Sequence, residues 1–381
     1  MPSTSGDNAH LENAQGLRRG HTTGTCAAAA SKAAALALIT GEPQTHVSIR
    51  TPRGIVLDLP VEDMSTMEDV SRCAVRKDGG DDADVTHGSL VYAEVRRTDS
   101  GVTIDGGTGV GRVTRKGLDQ PVGNAAINSV PRSMIREALE DVMECTGYRG
   151  GLDVVVSIPD GVDLASRTFN PRLGIVGGIS VLGTSGIVEP MSETALVKTI
   201  HTEMNMRAAE GDRILVVVPG NYGKEFVDGL PGIDPESPVK CSNFVGEMLD
   251  HACELGTDIL LVSNMGKMVK LAGGIMNTHS RNGDCRMEIV ASNLAMVGGD
   301  IGAVREVMGC VSTDDALDVV AGTGLMGELC SLLMEKIEYS MNHRTGGRIR
   351  TGAVMFSSTY GLLGKTSLAD ELLEEFLEVS Q

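Results

Sequence analysis

The stretch NTHSRNGDCR, residues 277–286, places several ionisable side chains close together, among them His279, Arg281, Asp284 and Arg286. A histidine can accept a proton or donate a hydrogen bond to a carboxylate, and an aspartate can accept a proton from a reacting group. We therefore take His279 and Asp284 as candidate catalytic residues. Two structural alternatives stay open, because a lone histidine often has a structural role and Asp284 is also suited to cap the following helix.

Three further polar segments each follow an apolar run that is predicted to be a strand. They are Gly220, Asn221 and Gly223 in PGNYG, Ser242 and Asn243 in CSN, and Asn264, Gly266, Lys267 and Lys270 in SNMGKMVK. In open α/β sheets, ligands bind outside the carboxyl ends of the strands. We therefore expect these segments to meet at one edge of a sheet. The alternative is that each is an ordinary turn between a strand and a helix.

The segment GHTTGTC places Thr22, Thr23, Gly24 and Thr25 before an alanine-rich helix predicted from Cys26 to Ile39 and closed by Gly41. Exposed amides and hydroxyls at a helix start can bind a phosphate or a carboxylate. The alternative is a threonine that only caps a packed helix.

Glycines and β-branched residues alternate in TFNPRLGIVGGISVLGTSGIVEPMSE, residues 168–193. Glycine weakens a strand, so its retention there needs a reason. We expect the glycines to let the backbone pass close beneath a ligand, while Ile and Val hold the segment against the core.

The segment GGTGVGRV, residues 106–113, looks like a dinucleotide-binding loop. That fingerprint requires a helix directly after the glycines. Here RVTRKG follows, which is typical of a strand, so we predict a glycine-rich hairpin instead.

The elements around these segments predict an α+β fold with two domains. A tail of residues 1–16 is predicted to be disordered, and residues 17–190 read as strands separated by turns, as in a mainly antiparallel α+β domain. Its second helix is expected to be capped by Ser133 and to end near Gly147. In residues 191–381 strands alternate with helices, which predicts a Rossmann-like α/β domain with a C-terminal helix.

The composition excludes several classes of protein. A formal net charge of −18 argues against binding to nucleic acid or to an anionic membrane. The eight cysteines form no C-x-x-C pair, and the histidines and cysteines show no paired spacing, so we predict reduced thiols, no metal site and a cytoplasmic protein. No apolar run approaches the length of a membrane span. A homo-oligomer remains open.

The glycine-rich stretch, residues 168–193, closely resembles the signature of the cobalt-precorrin-5B C(1)-methyltransferases, enzymes of anaerobic cobalamin biosynthesis. The resemblance extends over nearly the whole chain and includes GHTTGTCAAAASKAA, GVGRVTRKGL, VPRSMIREAL, PGNYG and GKMVKLAGGIMNTHSRNGDCRME. One departure concerns a Gly-His pair that often precedes the Gly-Lys corresponding to Gly266-Lys267. This chain has Ser263-Asn264 there, so no role of that histidine can be transferred.

The resemblance implies methyl transfer from S-adenosylmethionine to C-1 of a cobalt tetrapyrrole, which gives cobalt-precorrin-6A. Because the methyl group is already activated, such a reaction needs alignment and exclusion of water more than a nucleophilic side chain. The predicted cofactor-binding residues are Gly177, Gly178, Gly183, Gly220, Asn221, Gly223 and Ser242. The predicted substrate-binding residues are Thr22, Thr23, Thr25, Arg167, Arg172, Lys267, Lys270 and Arg281, with Arg286 as a further cation. Arginine suits carboxylates because its planar fork can donate two hydrogen bonds, although we expect about half of these cations to pair with the chain's own acids.

Two other functions remain alternatives. The Rossmann-like half is compatible with a nucleotide-dependent oxidoreductase, although no G-x-G-x-x-G opens a predicted helix. A non-catalytic corrinoid-binding protein is the second alternative, although the chain lacks the D-x-H-x-x-G motif that often supplies an axial histidine.

Overall fold

The computed structural model describes residues 12–13, 16–228 and 237–379, so most of the predicted tail of residues 1–16 lies outside the described residues. The chain has a mixed α/β fold with several sheets. It divides into two compact units, of which the first ends at Ser192 and the second begins at Glu193.

The first unit contains three helices among its described residues, and its strands form one large sheet and several two-stranded pairs. The helices are α1 (Thr23–Thr40), α2 (Ser129–Thr146) and α3 (Gly161–Ala165). The strands are β1 (Gly20–His21), β2 (His46–Arg50), β3 (Val56–Pro60), β4 (Glu62–Thr66), β5 (Val70–Arg76), β6 (Leu90–Thr98), β7 (Val102–Gly106), β8 (Gly109–Val110), β9 (Arg112–Val113), β10 (Gly151–Ser157), β11 (Ile175–Val176), β12 (Gly178–Ile179) and β13 (Ile187–Val188).

The large sheet of the first unit has the order β4-β5-β6-β10-β7, in which β10 and β7 are parallel and the other neighbours are antiparallel. Helices α1 and α2 belong to the same hydrophobic core as alternate residues of the sheet, such as Val75, Ala93 and Val154. The many alanines of α1 bring its backbone close to its neighbours. By length and composition α1 could cross a membrane, but 78% of that window is buried within the protein.

Helix α2 begins earlier than its sequence pattern suggests. The prediction of Ser133 as its cap is wrong, because the helix starts at Ser129 and Asn128 is the capping residue. Pro131 lies in the first turn, where a missing N–H removes no helical hydrogen bond. The predicted apolar face and the end at Gly147 are confirmed.

The short strands β8 and β9 do not pair with each other, so the predicted hairpin is wrong. Strand β8 pairs in parallel with β12, and β9 pairs antiparallel with β11. Gly109 and Gly111 therefore lie against the glycine-rich stretch, and no helix follows them as a dinucleotide loop would require.

The second unit is built around a sheet of five strands in the order β15-β14-β16-β17-β18. Its strands are β14 (Ile214–Val218), β15 (Val239–Lys240), β16 (Asp258–Asn264), β17 (Thr351–Ser357) and β18 (Gly361–Lys365). Its helices are α4 (Glu193–Glu210), α5 (Asn221–Asp228), α6 (Val245–Leu255), α7 (Met265–Ala272), α8 (Arg286–Met296), α9 (Ile301–Met308), α10 (Thr313–Thr323), α11 (Met326–Thr345) and α12 (Ala369–Val379).

Both faces of this sheet are covered. Leu215, Val217 and Leu261 belong to a core that includes α6, α7 and α11, whereas Val216 and Leu260 belong to a smaller core with α5 and α12. Burial on both faces explains why the parallel strands are continuous apolar runs. Sequence reasoning missed β18, which runs antiparallel at the edge.

Candidate functional site

The carboxyl ends of four strands meet at one edge of the sheet in the second unit. Strands β15, β14, β16 and β17 are parallel neighbours, so they all end on the same side. The three polar segments predicted from the sequence follow β14, β15 and β16. The structure therefore brings them together, and we call this region the carboxyl edge.

Lys267 connects these three strand ends. It lies in the first turn of α7, directly after β16, and its Nζ donates hydrogen bonds to the carbonyl oxygens of Pro219 at 3.1 Å and Ser242 at 3.4 Å. Asn264 caps the same helix by accepting a hydrogen bond from the N–H of Gly266 at 2.9 Å. Asparagine is among the best capping residues, which gives Asn264 a structural role.

The charge of Lys267 is not neutralised by a carboxylate among the residues that the structure describes, since its partners there are carbonyl oxygens. Burial lowers the pKa of Lys267 below its usual value, and the neighbouring charge of Lys270 acts in the same direction. A half-buried ammonium without a counter-ion raises the local positive potential.

The polar residues beside Lys267 differ in what they can offer a ligand. Among the described residues, a Cβ built on Gly220 would meet only the Nζ of Lys267, at 4.0 Å, so these residues leave space open above Gly220. A Cβ on Gly223 would lie 2.9 Å from the carbonyl oxygen of Val262, so this glycine allows α5 to pack against the sheet. The Oδ1 of Asn221 accepts a hydrogen bond from Lys240 at 3.1 Å.

The loop that contains His279 is attached to the carboxyl edge. The N–H of Thr278 donates to the carbonyl oxygen of Asn243 at 2.9 Å, and the Nζ of Lys270 donates to the carbonyl oxygen of Thr278 at 3.0 Å. His279 is exposed and caps a one-turn 3-10 helix over Ser280–Asn282.

The hydrogen bonding of His279 restricts the chemistry of its ring. Its Nδ1 accepts a hydrogen bond from the N–H of Arg281 at 3.2 Å. A neutral imidazole that accepts at one nitrogen carries its proton on the other. The ring is therefore arranged to donate from Nε2, which suits contact with a carboxylate better than acceptance of a proton.

Asp284 does not cap a helix, so that prediction is wrong. The capping residue of α8 is Cys285, whose φ of 45° lies in the left-handed region. Asp284 instead accepts hydrogen bonds from Arg286 at 2.5 and 3.0 Å, and its Oδ1 lies 3.4 Å from the Nζ of Lys270. The hydrogen bonds from Arg286 are the main cause of its lowered pKa, so the carboxylate is held ionised.

The predicted substrate-binding cations have different surroundings. Arg281 forms an ion pair with Glu193, and Lys270 is almost fully buried beside Asp284. In the first unit Arg167 is exposed, and the carbonyl oxygen of Arg172 accepts a hydrogen bond from Arg115 at 3.2 Å. The expectation that some of these cations pair with the chain's own acids is confirmed for Arg281 and Lys270.

The threonines at the start of α1, Thr22, Thr23 and Thr25, are turned inward, so the prediction of exposed hydroxyls is wrong. All three are buried. Thr22 caps the helix through the N–H of Thr25 at 3.2 Å, the Oγ1 of Thr23 donates to the carbonyl oxygen of Leu182, and the Oγ1 of Thr25 donates to that of Gly186 at 2.7 Å. These groups fasten the helix start to the glycine-rich stretch. A role in substrate binding stays a prediction without structural support.

The glycines of the stretch are mostly explained by contacts within the first unit. A Cβ on Gly178 would lie 2.2 Å from the carbonyl oxygen of Gly109, and one on Gly183 would lie 2.1 Å from the Oγ1 of Thr22. These two glycines therefore have a packing role, and their contact with a ligand stays a prediction. Gly177 differs, because a Cβ there would meet no atom of the described residues within 4 Å.

Sequence reasoning missed the apolar side chains that this stretch exposes. Phe169 is 56% exposed and Val176, beside Gly177, is 57% exposed. Contiguous patches of exposed apolar side chains, rather than single ones, are a feature of ligand-binding surfaces. The signal available in the sequence was an apolar residue, Val176, directly before a glycine, Gly177.

Metal binding has no support in the described part of the chain. No group of three or more His, Cys, Asp or Glu side chains there is placed to hold a metal ion. All eight cysteines lie in that part and are free thiols.

Comparison with known proteins identifies the family. The model of the CbiD family matches residues 10–190, and that of the CbiD C-terminal domain matches residues 277–367. A relative from Ruminiclostridium cellulolyticum is 45% identical over 348 residues, which cover 91% of this chain and 91% of the relative. A relative from Alkaliphilus metalliredigens is 43% identical over 366 residues, which cover 96% of each chain. Both relatives carry the name cobalt-precorrin-5B C(1)-methyltransferase.

A crystal structure of a cobalamin biosynthesis protein (cbiD) from Archaeoglobus fulgidus is 30% identical and covers 68% of this chain and 80% of that chain. Its TM-score of 0.38 is too low to support a statement about the fold. The matches along the sequence are sufficient by themselves. The chain belongs to the CbiD family, as its motifs predicted, and is a methyltransferase.

Proposed function

We propose that this chain transfers a methyl group from S-adenosylmethionine to C-1 of cobalt-precorrin-5B, giving cobalt-precorrin-6A in anaerobic cobalamin biosynthesis. The observation that carries the proposal is the extent of the similarity. Relatives with this enzyme name are 41–45% identical and align with 91–96% of the chain.

The state of the cysteines supports a mechanism without a nucleophilic side chain. Burial raises the pKa values of Cys26, Cys73 and Cys241 to about 12, so these thiols stay protonated and unreactive at neutral pH. S-adenosylmethionine supplies an activated methyl group when it is bound. The contribution of the protein is then to hold the reacting groups in line and to exclude water.

We place the cofactor at the carboxyl edge of the second unit, which we regard as a Rossmann-like domain. The open space above Gly220 and the polar groups of Asn221 and Ser242 support this assignment, because ligands of open α/β sheets bind in this position. Gly223 would act indirectly, by allowing α5 to lie close to the sheet. In the first unit, Gly177 stays a candidate for contact with a ligand, whereas Gly178 and Gly183 serve packing.

The tetrapyrrole carries acetate and propionate groups around an apolar ring. We propose that Lys267 and His279 in the second unit contact these carboxylates, and Arg167 stays a candidate from the sequence alone. The exposed side chains of Phe169 and Val176 are suited to contact with the face of a ring. Arg172, Lys270 and Arg281 stay candidates, although Lys270 and Arg281 would have to exchange an internal acid for the substrate.

A proton must leave the macrocycle after methylation, and His279 and Asp284 stay the candidate acceptors. Neither is favoured by its surroundings, because the Nδ1 of His279 already accepts a hydrogen bond and Asp284 has a lowered pKa. We therefore propose that His279 acts mainly as a hydrogen-bond donor, that Asp284 positions Arg286 and Lys270, and that the released proton passes to solvent water.

We propose a cytoplasmic location, which the eight free thiols support. The function itself is tested by incubation of the purified protein with cobalt-precorrin-5B and methyl-labelled S-adenosylmethionine. Gain of one labelled methyl group at C-1 is the expected result, and a product without the label would refute the proposal.

A further inference from the structure

Three cations lie at or beside the carboxyl edge in a protein whose net charge is −18. Lys267 and Lys270 belong to α7 and Arg286 is the first residue of α8, and Asp284 is the acidic partner of Lys270 and Arg286. Asp284 contacts Lys270 and Arg286, so its charge is already shared between these two. Lys267 is left with carbonyl oxygens as its partners within the described residues.

The geometry of Lys267 leaves one donor for a ligand. A lysine ammonium has three N–H donors, and two of them are directed to the carbonyl oxygens of Pro219 and Ser242. These two contacts fix the position of Nζ in front of the strand ends. Within the part of the chain that the structure describes, the nearest atom to a Cβ built on Gly220 is this Nζ, at 4.0 Å, so the space above Gly220 borders the ammonium.

The backbone on the other side of Lys267 is also unusual. Ser242, whose carbonyl oxygen accepts a hydrogen bond from Lys267, has a φ of 54°. A residue other than glycine rarely adopts this left-handed conformation, and such strain is concentrated at functional sites. The strained backbone at Ser242 therefore carries one of the two carbonyl oxygens that hold the ammonium of Lys267 in place.

We propose that Lys267 is the cation of a carboxylate-binding site at the carboxyl edge, bordered by Gly220 and Ser242. The site takes either the carboxylate of the methionine part of S-adenosylmethionine or an acetate or propionate group of the tetrapyrrole. The inference rests on the proposed function for the identity of these ligands. It adds the place of contact, the free N–H donor of Lys267 and the carboxylate of S-adenosylmethionine as a second ligand group.

The inference is tested by calorimetric titration of the full chain with S-adenosylhomocysteine and with its decarboxylated analogue. For the unaltered protein we expect the analogue to bind about tenfold to a hundredfold more weakly, which is the range for a hydrogen bond to a charged group. Lys267→Met should weaken the binding of S-adenosylhomocysteine by a similar factor and leave the binding of the analogue nearly unchanged. Lys267→Arg should retain part of the affinity.

The matched control is Lys336→Met, which removes a lysine of the same unit whose Nζ contacts the sulfur of Met296 at 3.6 Å. It should change neither titration. The comparison of the two ligands on the unaltered protein needs no variant. It therefore tests whether the protein binds the carboxylate of the cofactor even if Lys267→Met unfolds.

A second titration with cobalt-precorrin-5B, without cofactor, distinguishes the two sources of the carboxylate. If Lys267→Met or Lys267→Arg lowers the affinity for the tetrapyrrole and leaves the affinity for S-adenosylhomocysteine unchanged, the site exists and binds the substrate. If neither ligand loses affinity in a folded Lys267 variant, the inference is wrong. Both titrations measure binding without turnover. A failure of the inference about Lys267 can therefore be distinguished from a failure of the proposed methyl transfer.

Discussion

Gly183 lies against Thr22, such that a Cβ built on the glycine would be 2.1 Å from the threonine Oγ1. Thr22 caps α1, and its own N–H donates to the carbonyl oxygen of Gly186 at 3.1 Å. The start of the core helix and the glycine-rich stretch are therefore packed as one structural element of the first unit.

This contact predicts that Gly183→Ala destabilises the fold. The φ of Gly183 is 144°, so an alanine would add backbone strain to the overlap with Thr22. Together these effects should lower the free energy of unfolding by roughly 2–5 kcal/mol. Denaturation in urea measures the loss.

Gly177→Ala is the matched control, because Gly177 also has a positive φ, of 82°, but has open space around its Cβ position. It should cost only about 1–2 kcal/mol, for backbone strain alone. Equal stability of the two variants would show that the contact between Gly183 and Thr22 is not a constraint.

The ring of His279 is predicted to act as a donor from Nε2. His279→Gln places an amide N–H in a similar position, so it should retain most of the methyl transfer rate. His279→Ala should lose about tenfold or more, in line with loss of a hydrogen bond to a charged group. Steady-state rates over a range of pH provide the measurement. If both variants are equally impaired and the pH dependence of kcat disappears, His279 is the base instead.

The ion pair between Arg18 and Asp78 predicts an acid-sensitive contribution to stability. The hydrogen bond from Arg18 is the main cause that lowers the pKa of Asp78 from 3.8 to about 2. A carboxyl with a lowered folded-state pKa stabilises the fold above its unfolded pKa and loses this effect as the pH falls towards 2. Because both side chains are more than a third exposed, the contribution should stay below about 1 kcal/mol.

A double-mutant cycle of Arg18→Gln and Asp78→Asn, followed by urea denaturation at pH 6, 4 and 3, measures this contribution. The coupling energy should be largest at pH 6 and smaller at pH 3. A coupling that stays constant over this range would mean that the pair does not depend on ionised Asp78.

The sequence was most informative where periodicity is sustained. The face of α2 that contains Ile135 and Leu139, and the continuous apolar runs of β14 and β16, are recognisable because burial repeats along each element. Such apolar runs favour a parallel sheet, so β14 and β16 are expected to end at the same edge of it. The meeting of the segments near Lys267 was therefore predictable.

Features that depend on distant contacts were not predictable. Two-residue strands such as β8 and β9 carry no pattern of their own, and their partners in residues 175–179 are set by tertiary packing. The inward direction of the Thr25 hydroxyl depends on Gly186 in the same way. At Asp284, the neighbouring Arg286 competes successfully with the backbone N–H groups that a capping residue would bind.

Methyl transfer to a cobalt tetrapyrrole is the central claim, and isotope transfer under single-turnover conditions tests it most directly. The full chain, cobalt-precorrin-5B and S-adenosylmethionine with a ¹³C-labelled methyl group are combined, and the product is analysed by mass spectrometry and NMR. The account predicts one ¹³C-methyl group attached to C-1 and one equivalent of S-adenosylhomocysteine. Recovery of the tetrapyrrole without the label, or with the label on another ring carbon, would contradict it.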